Sequence, residues 1–322
     1  MKFGPVPLDD ALGAVLAHSV ATPLGRLRKG RVLDQRDIDS LRDGGTAEVT
    51  VARLETGDID ENTAAARLAA ALSGGGLTVR DPFTGRANLH AARAGVLTID
   101  ADRLAKVNAV DGAITVATLP ALRRVETDVM AATVKIIAYA VSGAMLERAC
   151  EIGRGALAVA APVIDRADLI VTELDGAATG IAAVTERLHR LGAQCSVIRV
   201  PHAPEPLAAA LRDGTAPLRL ILTASATSDE ADVGPDALVR AGGRLMRFGM
   251  PVDPGNLLFL GDMPGARVVG LPGCARSPAL NGADWVIERE LCGLPVTSAE
   301  IAAMGVGGLL KEIPSRPQPR ET

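Results

Sequence analysis

The sequence predicts an α/β protein, with a mainly parallel three-layer sheet domain preceded by a smaller α+β N-terminal domain. Three observations carry this expectation. A chain of 322 residues, 48% of them hydrophobic, is long enough for two domains and can bury a substantial core. From residue 168 onward apolar runs alternate with amphipathic helical runs, the βαβ rhythm of a parallel sheet. Between residues 77 and 140 the pattern instead shortens into strands and small helices. The expected domains are 1–155, 156–312 with the α/β sheet, and a flexible Pro-rich, charged tail over 313–322.

Taken in order, residues 5–20 (PVPLDDALGAVLAHSV) put Leu8, Leu12, Val15 and Leu16 on one helical face, with Asp9 and Asp10 in the first turn, and predict an N-terminal helix. A helix from about Asp37 stops at Gly44 and Gly45, and a strand follows over 47–54. The Ala-rich stretch Glu61–Leu72 predicts a helix that ends in Gly74, Gly75 and Gly76. TVATLP and MAATVKIIAYAV predict strands with Val134, Ile136 and Ile137 buried; alternation turns Lys135 outward from an edge strand, or else aims its charge into a cleft. A helix over 144–150 is the expected bridge to the second domain. There the strands DLIVTEL, QCSVIRVP and LRLILTAS alternate with the helices GIAAVTERLHRLG, PEPLAAALRDG and GPDALVRAGG, followed by GRLMRFGM, LLFLG and the RVVGLPG strand with its helix.

Composition narrows the function. A net charge of −4, a pI near 5.7, no basic run and 2% aromatic residues argue against nucleic acid as partner. Cys150, Cys195, Cys274 and Cys292 show no C-x-x-C and no His at ligand spacing, so neither a zinc site nor a disulfide framework is indicated. MKFGPVPLDD lacks the apolar core of a signal peptide, and no run approaches a membrane span, which predicts a cytoplasmic protein.

In open α/β sheets ligands sit beyond the carboxyl ends of the strands. The stretch over 267–278, RVVGLPGCARSP, joins a strand to a bare turn at Gly270, Pro272 and Gly273 and then to a helix. In that helix Leu280, Trp285, Val286 and Leu291 can share one side and Gly293 marks the stop. A strand, a glycine turn and a helix N-terminus suit a phosphate or carboxylate, although an ordinary strand-to-helix turn has the same pattern. Arg276 beside it is read as a bidentate anion clamp in preference to a solvated side chain, and Cys274 as a small buried hydrophobe in preference to a thiolate activated by the helix dipole. Other strand exits are Glu173, Leu174 and Asp175, then Pro201 and His202, then residues 224–232. His202, flanked by prolines, reads as structural or exposed rather than as a base. Asp229, Glu230, Asp232 and Asp236 either hold magnesium through one or two carboxylates or cap a helix through Asp232 or Asp236.

Several of these segments together resemble the molybdopterin-binding fold shared by the molybdotransferase (MoeA) and molybdopterin adenylyltransferase (MogA) enzymes of molybdenum cofactor synthesis. RVVGLPGCARSP is similar to the family's GLPGNPVSA turn, and GRLMRFGMPVDPGNLLFLG (243–261) to its KPGKP segment. LILTASATSDEADVG is similar to TSGGVSVGEADY, HAPEPLAAALRDG to the family's second-strand exit and helix, and VPLDDALGAVLAHSV to the molybdotransferase start. The whole chain resembles the molybdopterin-binding module (MoaB/Mog domain type) that bacteria often fuse to a cofactor nucleotidyltransferase, but no glycine-rich nucleotidyltransferase loop is present.

The resemblance implies that Gly270, Pro272, Gly273, Cys274, Arg276 and Ser277, with Thr223, Ser225, Ser228 and Gly255, hold the phosphate of molybdopterin, with Thr227 adding a hydrogen bond. Asp232 and Glu230 would be the catalytic and magnesium-binding residues of a transferase. Its implied partners are the pterin, a nucleotidyltransferase or a recipient molybdoenzyme, and a further copy of the chain. The departures bear on turnover: Ser225 and Ala226 stand where the family has glycines, and Asp253 and Asn256 where it has lysines. Loss of two positive charges favours the alternative, a non-catalytic carrier or scaffold. A dehydrogenase is disfavoured because no G-x-G-x-x-G follows residues 169–174.

Overall fold

The computed structural model describes residues 1–174 and 179–310. Asp175 and the expected tail at 313–322 lie outside the described residues. The chain forms two compact units, residues 1–93 with 97–159, and residues 94–96 with those from 160 onward.

The first unit opens on a strand, not a helix. Lys2–Pro7 pairs antiparallel with Glu48–Arg53, which also pairs with Val15–Leu16. Pro5 and Pro7 lack the N–H groups a helix interior needs but are tolerated on this edge strand, and Gly13 at φ 76 breaks any helical path. Leu8 and Leu16 are buried as expected, whereas Leu12 is 53% exposed, so the helical spacing of these residues is incidental. They close a small core with Leu33, Ile38, Leu41, Val49 and Val51 beneath the helix Gln35–Asp43, whose Asp34 cap and Asp37 form a reciprocal capping box.

The larger core of this unit lies between helices and a four-stranded antiparallel sheet, ordered Ile114–Thr118, Met130–Ile136, Arg86–Ala91, Leu77–Val79. Leu68 and Leu72 from the helix Glu61–Leu72 and Leu146 from the helix Gly143–Gly153 pack there with Leu89, Ile114, Val134 and Ile136. Lys135 therefore sits on an interior strand, not an edge; its amine donates to the Thr84 carbonyl and lies 3.9 Å from Glu61. Ile137, expected to be buried, is 64% exposed because the strand ends one residue before it.

In the second unit the strands and helices form where the alternation places them, and its elements are numbered here. They are β1 (Arg166–Glu173), α1 (Ile181–His189), β2 (Gln194–Pro201), α2 (Pro204–Asp213), β3 (Leu218–Leu222) and α3 (Val233–Arg240). Then come β4 (Arg244–Phe248), β5 (Phe259–Met263), β6 (Ala266–Gly270), α4 (Gly282–Leu291) and α5 (Ser298–Ala303). The sheet is mixed and ordered β2-β1-β3-β6-β5-β4; β2, β1, β3 and β6 pair in parallel, and β5 runs antiparallel between β6 and β4. Ile170, Ile221, Val268 and Phe259 pack against Leu207 and Leu211 of α2 and Ala237 and Leu238 of α3. Leu169, Val171, Leu220, Leu222 and Val269, which alternate with them, are equally buried, as strands covered on both faces require. The four parallel strands end at one edge of the sheet, at residues 173, 201, 222 and 270.

Candidate functional site

At that edge the exits of β3 and β6 lie side by side. Leu271 N–H donates to Ile221 O at 2.8 Å, and Arg276 reaches from the turn after β6 to the Thr223 carbonyl at 2.7 Å and to the Thr179 carbonyl. Gly180, at φ 82, leaves room for Arg276, since a side chain there would run into its Cα and Cβ. Burial pulls the Arg276 pKa down. Its guanidinium thus ties three loops together, so it is a brace where the sequence suggested a free anion clamp.

The turn itself departs from expectation. After Leu271 and Pro272 come a short 3-10 turn, Gly273–Arg276, and an extended stretch; α4 begins only at Gly282. Its first-turn donors are already matched. Gly282 N–H donates to the Pro254 carbonyl, Asn281 Oδ1 accepts from Ala283 N–H, and Asp284 accepts from Asn281 N–H. This capping box, a signal the sequence carried as N-x-x-D, removes the helix N-terminus as an anion site. Leu280, expected on the apolar side of α4, is 53% exposed because it precedes the helix, while Val286 and Leu291 are buried.

The individual turn residues have distinct reasons. A Cβ on Gly270 would collide with the Phe259 ring, so this glycine serves packing. Gly255, at φ 148, brings the 251–256 loop against α4, where a Cβ would stand 2.9 Å from Gly282 N. Gly273 is exposed, and a Cβ there would meet nothing within 4 Å, so neither packing nor backbone conformation demands glycine. Burial raises the Cys274 thiol, which favours the small hydrophobe of its two readings over the dipole-activated thiolate; burial likewise pushes Cys195 and Cys292 up to about 11. Ser277 Oγ accepts from Ala279 N–H at 3.2 Å.

Behind the turn stands a residue that the sequence reading passed over. Arg187 of α1 pairs with Asp284 of α4 at 2.7 Å, both side chains almost wholly buried. The same guanidinium donates to the carbonyls of Ala183 and Ala275 at 2.9 Å, Ser277 at 2.7 Å and Ala279 at 3.0 Å. One arginine thereby fixes the backbone of residues 275–279.

The exit of β3 is equally ordered. Thr223 Oγ1 donates to the Ser225 carbonyl at 2.7 Å, and Thr227 Oγ1 lies 3.3 Å from Thr223 Oγ1; both threonines are buried, which leaves Ser225 and Ser228 as the exposed hydroxyls. His202 contacts Ser225 Oγ through Nε2 at 2.9 Å and Thr172 Oγ1 through Nδ1 at 2.8 Å. Asp232 caps α3: Oδ1 accepts from Val233 N–H at 2.8 Å and Oδ2 from Ser228 N–H at 3.0 Å. Asp229 accepts from Ala231 N–H and Asp236 pairs with Arg240, while Glu230 is exposed. Of the two readings of this acidic group, capping by Asp232 is the one seen, and among the described residues no group of three or more His, Cys, Asp or Glu could hold a metal ion. Asp253 lies in the loop before β5, where its N–H donates to the Gly308 carbonyl and its carbonyl accepts from Leu310 N–H. Asn256, in the same loop, is exposed, with its amide 3.4 Å from the Met250 carbonyl.

The class this fold defines is an α/β protein whose polar turns gather at the carboxyl edge of a mixed sheet. Among known families, a model described as a domain of unknown function (DUF8806) matches residues 5–53, in the first unit. No curated protein matches the chain. A solved structure that it is similar to is the molybdopterin biosynthesis MoeA protein from Pyrococcus horikosii, with 12% identity, 93% of this chain and 75% of that chain covered, and a TM-score of 0.29. Among the described residues no helix is long and apolar enough to cross a membrane.

Proposed function

We propose that the second unit binds a phosphate-bearing pterin, molybdopterin, at the carboxyl edge of its sheet and serves molybdenum cofactor biosynthesis or maturation. One observation supports this reading above the others. The three segments that resemble the molybdopterin-binding family, 220–234, 243–261 and 267–278, belong to neighbouring strands of one sheet, and Arg276 joins two of their exits. A MogA-like three-layer arrangement of this unit is part of the same proposal. Ser225, Ser228 and the open backbone at Gly273 are the groups that would face the ligand. When bound, the pterin would supply the dithiolene and phosphate on which cofactor chemistry operates; the chain's own residues hold and orient it.

A second reading, a carrier or scaffold without turnover, has its own support. Both oxygens of Asp232 accept backbone N–H groups, and among the described residues no group of three or more His, Cys, Asp or Glu could hold a metal ion, so no transfer step is routed through magnesium. The deciding experiment is purification from a host that makes molybdenum cofactor, followed by denaturation, oxidation and pterin fluorescence. Stoichiometric pterin is expected. Its absence, together with failure to bind added cofactor, would refute the proposal. Turnover with magnesium, molybdate and nucleoside triphosphate would reject the carrier reading.

A further inference from the structure

Thr172, the last buried residue of β1, has 0% exposure, and its hydroxyl oxygen accepts the Ala224 N–H at 2.8 Å. A buried hydroxyl also needs an acceptor for its own proton. Among the described residues the atom in reach is His202 Nδ1, 2.8 Å away. That assigns the proton of the neutral imidazole to Nε2, which then donates to Ser225 Oγ at 2.9 Å. With its oxygen accepting from His202, the exposed Ser225 turns its own hydrogen outward. The Thr223 hydroxyl fixes the Ser225 carbonyl, so the residue is held at backbone and side chain alike.

The line Thr172–His202–Ser225 has the outline of a relay that activates a nucleophile, but its proton stands on the wrong nitrogen. A general base must present a bare Nε2 to the serine, and here Nε2 is the donor. The Arg276 guanidinium binds the Thr223 carbonyl, two residues before Ser225 in the chain, and both Asp232 oxygens accept backbone N–H groups.

We propose that Ser225 is an outward hydrogen-bond donor to a phosphoryl oxygen, and that His202 is its positioning residue, with its tautomer set by Thr172. The phosphate rests on the reading that this edge holds a phosphate-bearing ligand; the tautomer does not.

The test combines two measurements on the full chain. NMR of isotope-labelled histidine, with His202 assigned by the loss of its signals in His202→Asn, reads the tautomer. Calorimetric titration with inorganic phosphate compares the wild type with Ser225→Ala, His202→Asn and His202→Gln. The expected results are an Nε2–H tautomer and binding weakened about tenfold or more in Ser225→Ala and His202→Asn. Asparagine can still accept the Thr172 proton but falls short of Ser225; glutamine reaches the Nε2 position and should restore binding. An Nδ1–H tautomer, labelling of Ser225 by a fluorophosphonate, or wild-type affinity in His202→Asn overturns the proposal. Failure of glutamine to restore affinity, or no phosphate binding by the folded wild type, overturns it as well. If one His202 variant does not fold, the other supplies the assignment and the wild-type tautomer still decides. A chain that neither carries pterin nor binds added cofactor, yet binds phosphate through Ser225, would refute the molybdopterin assignment and leave this inference standing.

Discussion

Replacing Arg187 with methionine tests whether one buried arginine holds both the second unit and its candidate turn. The Arg187 and Asp284 side chains are only 4% and 6% exposed, and the guanidinium meets four carbonyls besides the carboxylate. Methionine fills the space of the stem but leaves the Asp284 carboxylate buried beside a single remaining donor, the Asn281 N–H. Breaking a buried pair from one side costs about 3–5 kcal/mol. Adding a full hydrogen bond for each carbonyl would overshoot, because Ser277 and Ala279 are exposed and their carbonyls can turn to water. The expected loss is therefore about 3–5 kcal/mol, and Arg187→Lys, which keeps the charge without the planar fork, should lose less. Adding Asp284→Asn to Arg187→Met should recover part of the loss, through a coupling of about 0.5–3 kcal/mol. Trp285, the chain's one tryptophan, adjoins Asp284, so urea unfolding followed by its fluorescence reports on this unit. An Arg187→Met protein within about 1 kcal/mol of wild type would refute the reasoning, since an unpaired buried carboxylate cannot be that cheap.

Gly270→Ala should destabilise the second unit by about 1–3 kcal/mol through overpacking against Phe259, and Phe259→Leu in the same chain should relieve it in thermal melts. Gly273→Ala, with open space around it, should change stability by less than about 0.5 kcal/mol yet lower pterin retention if the ligand approaches this backbone; retention equal to wild type would remove the turn from the site. Asp232→Ala should cost about 1–2 kcal/mol, while Asp232→Asn, which keeps one of the two acceptors, should lose less, and a chelator should leave pterin content unchanged; a chelator-dependent loss would support a metal role. In the first unit burial works to raise the Asp37 pKa, but hydrogen bonds from Arg31 and the Asp34 N–H hold it below its ordinary value. Its folded pKa thus lies under its unfolded one. The stabilisation is present above the ordinary carboxylate range and fades as pH falls through the folded value, and Asp37→Asn should flatten the acid limb of the melting curve.

The fold was legible where period and length agreed. The helix Glu61–Leu72 has a capping Asp60 and closing glycines, and the second unit's strands carry apolar runs separated by helical spacing, so local and global signals coincide. The first twenty residues were misread because four apolar side chains fell at helical spacing by chance. Pro5 and Pro7 were the stronger signal, since a missing donor excludes a helix interior while periodicity over so short a run excludes little. Lys135 was placed on an edge because alternation describes one strand at a time. Whether a strand has one neighbour or two is a property of the sheet.

The site shows the same division more sharply. Gly270 and Gly273 marked a turn correctly, but Gly270 serves an aromatic ring, Gly273 nothing intramolecular, and Gly255 of the preceding loop a close backbone approach, and a sequence prints all three alike. The side chains that organise the edge were harder to see. Arg187 lies about ninety residues from the carbonyls it binds, and Thr172 reads as one polar interruption at the end of an apolar strand. Their partners come from elements that meet only after the sheet has formed, so no local pattern can announce them. Expected ligand groups such as Arg276, Asp232 and Thr223 were named for their chemistry, and the fold uses that chemistry internally to make the turns rigid. What is left facing outward, Ser225, Ser228, Ser277 and the backbone at Gly273, with the carboxylate of Glu230, is a short set of groups on a well-braced frame. Its hydroxyls and backbone recognise by position, and binding should therefore depend on the braces as much as on the groups that touch the ligand.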